Sequence, residues 1–198
     1  MSTPRSVICR KLAALFWLML CVLPVYAASD AAPSYVQDEL TDARLSGRGS
    51  FRWFGLKIYD AALWVEGNEH NADALTSAKF VLDLGYARDL YGERIAQSSI
   101  NEISQLGFGT AAQRATWLGK MKSLFPDVHA GTHISGVYLP AQGARFYLDG
   151  KPLGEMDDPE FARAFFAIWL DPRTSAPKLR SQLLADGISP PMRCCLAY

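Results

Sequence analysis

The chain has 198 residues, 49% of them hydrophobic and 12% aromatic, with 20 basic and 20 acidic side chains and a formal charge of zero. This composition excludes a disordered or collagen-like chain and suits one domain, two at most. With no Lys/Arg cluster behind the neutral balance, a nucleic-acid-binding surface is excluded as well, whereas five Trp provide for a substantial core and for a ligand cavity.

Residues 1–11 carry Arg5, Arg10 and Lys11 and no acid. An uncharged run follows over 12–26, about 15 residues long, and then the small-residue site Val25-Tyr26-Ala27. The run is shorter than the ~20 residues a spanning helix needs. The three regions together predict a cleavable secretory signal peptide over 1–27. Leu20 before Cys21 argues against a lipoprotein. The expectation is an exported protein, periplasmic if the source is a Gram-negative bacterium. Cleavage leaves 17 basic and 20 acidic residues, a net charge of −3, and removes Cys9 and Cys21. Cys194 and Cys195 are adjacent near the C-terminus, and neighbouring cysteines rarely bridge each other. There is no disulfide framework and no CxxC metal pattern, so the fold stands on its core alone.

Residues 28–34 read as an unstructured leader. Strand-formers such as Phe51, Trp53, Ile58 and Trp64, punctuated by glycines, predict strands over 45–54 and 57–66 with a tight turn near Gly55. A polar connection over 67–77 precedes a third strand over 79–87, with Phe80, Leu82 and Leu84 on one face. The period then changes. Leu90, Ile95, Ile100, Ile103 and Leu106 predict a helix over 91–106 that Gly107 ends. Thr110 caps a second helix to Leu124, with Trp117, Leu118 and Met121 on one side. Residues 131–139 and 144–149 form a hairpin, and Asp149-Gly150 supplies a type I′ turn into a strand over 151–156. Asp157 or Asp158 caps a helix to Leu170, with Pro159 near its first position. A last short helix covers 176–185. Runs of strands followed by runs of helices indicate an α+β fold, an antiparallel sheet with helices on one face. The expected organisation is a signal peptide over 1–27, a leader and first short segment over 28–43, one domain over 44–186 and a tail over 187–198.

No nucleophile elbow, P-loop, HExxH or dinucleotide-binding glycine motif is present. His129 and His133 flank Gly131 at a strand start and would not face one way, so no metal is expected. Asp157-Asp158 suits helix capping. The informative stretch is 45–65, LSGRGSFRWFGLKIYDAALWV. Arg48, Arg52 and Lys57 sit there among apolar strand residues, close to Tyr59. An unpaired buried guanidinium is costly. Arg52 therefore either forms a fork with a Tyr hydroxyl that binds an oxyanion, or lies on the wet face, or pairs with Asp60 or Asp83.

The GxGxFR segment followed by KIYDAALW resembles the opening hairpin of the chalcone isomerase-like family. The strand over 79–84 leading to Tyr86 and Arg88, the stretch from Trp117 through Phe125-Pro126-Asp127, Gly136-Val137-Tyr138, Arg145-Phe146-Tyr147 and FARAFFAIWLDPRTSAPKLR over 161–180 resemble it too. The resemblance covers roughly 40–185 and is to the exported bacterial branch. It implies an open-faced β-sandwich, an antiparallel sheet with a layer of helices, with the ligand in the cleft between them. In the plant enzymes of the family an Arg and a Thr serve chalcone cyclisation, and in its fatty-acid-binding relatives a Tyr replaces the Thr. Tyr59 matches that Tyr, and Arg52 matches the Arg, with Arg48 as the weaker candidate. A further ligand-contacting Tyr falls on Tyr91 or Tyr86. The resemblance implies a monomeric, non-catalytic binder of a fatty acid or other small amphipathic or hydrophobic ligand, with no cofactor and no spanning segment in the mature chain. One alternative is an isomerase, an intramolecular lyase in which Arg52, Tyr59 and Lys79 stabilise a phenolate and an enolate. The other is a structural or partner-binding protein.

Overall fold

A computed structural model of the protein describes residues 31–67 and 77–184. The expected signal peptide and the C-terminal cysteines lie outside the described residues. Strands β1 (Ala43–Trp53), β2 (Leu56–Glu66), β3 (Phe80–Tyr86), β4 (His133–Leu139), β5 (Gly143–Leu148) and β6 (Lys151–Met156) pair in sequence order into one antiparallel sheet. Helices α1 (Ser34–Glu39), α2 (Gly92–Gln105), α3 (Ala111–Leu124), α4 (Pro159–Leu170) and α5 (Pro177–Leu183) complete the described elements. The expected α+β architecture is found.

Alternation along the strands builds the main core. Leu63 and Val65 of β2, Phe80, Leu82, Leu84 and Tyr86 of β3 and Phe146 of β5 face α2 to α5. Capping defines the helix starts. Thr110 and Gln113 form a reciprocal capping box on α3, and the Asp158 carboxylate accepts from the Glu160 and Phe161 amides at the start of α4. Trp117 Nε1 donates to the other oxygen of Asp158 at 2.8 Å, so the α4 cap also ties α3 to α4. At the β1 end, Gly47 admits α5. A Cβ there would strike the carbonyls of Gln182 and Leu183. Positive φ at Asp149 and Gly150 fits the expected type I′ turn.

The opposite face of the sheet is also covered. The stretch read as leader and first short segment contains α1, which presses Val36 and Leu40 onto Trp64, Val81 and Val137. Six residues are too short for a helical period to stand out in the sequence, and tertiary packing supplies the stability that such a helix lacks alone.

Candidate functional site

The inner face of the sheet carries a polar spot at the end where the β1–β2 hairpin turns. Tyr59 of β2 lies opposite Phe51 of β1 and Tyr86 of β3. The Phe51 ring stacks on Tyr59 at 5.2 Å, and Tyr86 meets it edge-on at 6.0 Å. Trp169, near the end of α4, donates its indole N–H to the Tyr59 hydroxyl at 3.0 Å. No described group accepts a hydrogen bond from either tyrosine hydroxyl. Burial pushes both phenols up from their ordinary pKa. The Trp169 hydrogen bond pulls Tyr59 back in part, and Glu102 on α2 adds to the upward push. Both hydroxyls therefore keep their protons through the physiological range and stand as hydrogen-bond donors.

The structure places the other sequence-derived candidates elsewhere. Arg52 is exposed beside the hairpin turn and donates to the Gly55 carbonyl at 3.2 Å. It does not meet Tyr59 in one inward fork. Phe51 is the residue opposite Tyr59, so strand alternation turns its neighbour Arg52 to the other face. The wet-face alternative describes its position. Arg48 is exposed and lies opposite Ala62, which packs on the outer face. Tyr91 is the exposed N-cap residue of α2, whereas Tyr86 is buried beside Tyr59. Lys79 does not join Arg52 and Tyr59. It pairs with Glu39 on the outer face, at the far end of β3 from Tyr86, roughly 20 Å away at ~3.3 Å per residue.

Sequence reasoning did not link Trp169 to the Tyr59 hydroxyl. The two are 110 residues apart, and no local pattern links them. It also missed two polar clusters on the outer face. Glu39 accepts from Lys79 at 2.6 Å, Arg145 at 2.7 Å and the Tyr147 hydroxyl at 2.5 Å, and Arg145 also reaches Glu155. Burial alone would raise the Glu39 pKa, but the three donors outweigh it and bring it down to about 2. Asp83, buried, accepts from Tyr35, Ser135 and His133 at 2.7–2.9 Å. The hydrogen bond to Asp83 raises the His133 pKa against the opposing effect of burial. Ser135 is bonded to the carboxylate and not to the imidazole, so the trio is not a nucleophile–base pair. Both clusters tie α1 to the sheet, through Tyr35 and Glu39. His129 and His133 face different carboxylates, Asp89 at 3.4 Å and Asp83 at 2.8 Å.

Known proteins resemble the chain along most of its length. A protein of Haemophilus influenzae, itself uncharacterised, is 28% identical over 138 residues, which is 70% of this chain and 66% of that protein. The chain thus spans just under two thirds of that relative's length. The crystal structure of a fatty-acid binding protein of Arabidopsis thaliana has the same fold, with a TM-score of 0.59 and 15% identity over 74% of this chain and 89% of that one. The family model described as chalcone isomerase-like matches residues 30–185. With the antiparallel sheet, its helical layer and this match over most of the sequence, the chain belongs to the chalcone isomerase-like family.

Proposed function

We propose that the protein binds a fatty acid or a similar amphipathic carboxylate, without turning it over, at the hairpin end of the layer between sheet and helices. The observation that carries this reading is the pair of protonated hydroxyls on Tyr59 and Tyr86, set among aromatic rings with no described acceptor. A carboxylate accepts from two such donors, and the surrounding rings suit an alkyl chain. Arg52, exposed beside the hairpin turn, adds only a solvent-screened positive charge near that end. The tail enters as Phe51, Leu90 and Ile95, only partly buried at the margin of the core, move aside. The shared fold of the Arabidopsis fatty-acid binding protein supports the reading. The engagement of Lys79 with Glu39 favours binding over an isomerase that would use that lysine.

Isothermal titration with laurate and palmitate tests it. The unmodified protein is expected to bind one equivalent. The double variant Tyr59→Phe/Tyr86→Phe, which removes both donors, should weaken binding roughly ten- to a hundredfold, since a hydrogen bond to a charged group contributes about 1.5–3 kcal/mol. Tyr59→Phe should weaken it less. Absence of binding, or equal binding by both variants, would overturn the assignment.

Export is the second part of this reading, supported by the basic start, the apolar run over 12–26 and the Val25-Tyr26-Ala27 site. Sequencing of the exported protein should begin at Ala28 or within a few residues of it, and a start at Met1 would sink the idea.

A further inference from the structure

Among the described residues, the large apolar side chains left exposed are Trp53, Phe54, Leu56 and Tyr91, at 62, 87, 55 and 65%. They are not scattered. Trp53, Phe54 and Leu56 form the tip of the β1–β2 hairpin, and the Trp53 and Phe54 rings meet edge to face at 4.9 Å in one projecting wedge. The amide of Ala87 donates to the carbonyl of Ile58, so the segment leading to Tyr91 leaves the sheet at the same end. Scattered single exposures need no explanation, but four at one end do.

Folding does not explain the residue at the tip. Phe54 and Gly55 have φ of 47° and 80°, the two left-handed positions of a type I′ turn. Asn, Asp and Gly are favoured at the first of them, and a bulky residue with positive φ is uncommon. The Phe54 ring is almost fully in water, so packing does not offset that conformational cost.

Charges of both signs surround the wedge, but among the described residues three arginines stand outside any ion pair. Each carboxylate at this end is engaged: Asp60 with Lys57, Asp89 with His129, Glu93 with Lys122, Asp127 with the Gly92 amide, and Asp149 with the His133 amide. Arg88 and Arg94 are exposed there without an ion pair among the described residues, and Arg52 donates to the Gly55 carbonyl and feels Asp60 only at longer range. The chain from Ala28 onward carries a net charge of −3, so attraction to an anionic surface would rest on these arginines and not on the molecule as a whole.

We propose that this end of the sheet docks on an anionic phospholipid surface, with Trp53, Phe54 and Leu56 inserted at headgroup depth and Arg52, Arg88 and Arg94 against the phosphates. Trp, Phe and Leu beside cationic side chains are what an interfacial anchor combines, and Tyr91 is an aromatic suited to the same level. A second copy of the chain fits less well. The tip offers roughly 400 Å² of apolar side chain, and a stable protein interface takes about 800 Å² from each partner. The inference does not depend on ligand binding, although it would bring the mouth beside Tyr59 to the membrane.

Co-sedimentation with large unilamellar vesicles tests it, using 1:3 phosphatidylglycerol and phosphatidylethanolamine against phosphatidylcholine alone. The protein used begins at Ala28, because residues 12–26 would themselves partition, and all described strands and helices lie within 31–184. Binding is expected on the anionic vesicles, falling about tenfold in 0.5 M NaCl as the headgroup charge is screened. The double variant Trp53→Ser/Phe54→Asn should lose about tenfold or more in partitioning. It should keep or raise the melting temperature, because Asn suits the turn. Arg88→Ala/Arg94→Ala should abolish the preference for anionic lipid. No binding by the unmodified protein, or equal binding by the tip variant, overturns the proposal. A concentration-dependent dimer in sedimentation velocity that the tip variant abolishes would overturn it too, since a second copy would then be the occupant.

Discussion

Phe165→Ala is expected to lower the unfolding free energy by about 3–5 kcal/mol. For a domain of this size that is a fall in melting temperature on the order of 10 °C. The side chain is 6% exposed at the centre of the inner layer. It stacks on Phe161 at 5.4 Å, meets Phe146 at 5.3 Å and Phe166 and Trp169 at 5.4 Å edge-on, and lies 6.0 Å from Phe125. Rigid rings on β5, at the end of α3 and on α4 itself cannot collapse into the space that truncation leaves, so the cavity contribution adds to the lost burial. Phe165→Leu, which fills most of that space, should cost less than half as much. Urea unfolding of the three proteins decides the matter, and a loss below about 1 kcal/mol for the alanine variant would mean that α4 is not seated on the sheet as described.

Glu39→Gln should give the second large effect, about 2–4 kcal/mol at neutral pH, and this one should depend on pH. The Glu39 carboxylate is buried under donors from Lys79, Arg145 and Tyr147, and its pKa falls from 4.5 to about 2. A depressed carboxylate pKa stabilises the fold fully above the unfolded value, and the stabilisation is lost as pH drops through the folded one. The difference between unmodified protein and variant should therefore hold steady from pH 7 to about 5. It should shrink to well under half by pH 2.5. Lys79 and Arg145 keep partial access to water, which limits the cost of leaving them without the carboxylate. Urea titrations at pH 7, 5 and 2.5 read the effect, and a difference constant across that range would mean that the cluster is not formed in solution.

The helical layer and the strands were legible because their signals are local. Phe80, Leu82 and Leu84 alternate within one strand, and Thr110, Asp158 and Asp149-Gly150 punctuate within one turn. Helix α1 was not legible. Its stability comes from Trp64, Val81 and Val137, which are far along the chain, and from Glu39 held by Lys79 and Arg145. The candidate site was legible in part. The tyrosine on the second strand could be named from its neighbours, but its inward partner is Trp169 on the last long helix, not the arginine seven residues before it.

Periodicity and turn chemistry thus determined by themselves the order and type of nearly every element and the α+β class, because each such preference acts over a few residues. Tertiary structure alone decided which faces the polar side chains occupy. The pairing of Phe51 with Tyr59 turns the adjacent Arg52 to solvent, and β3 and β4 must lie side by side before Ser135 and His133 can share the Asp83 carboxylate. A hydrogen bond between residues dozens or a hundred positions apart has no period to announce it. Its geometry exists only once the sheet has set the register and the helices have packed.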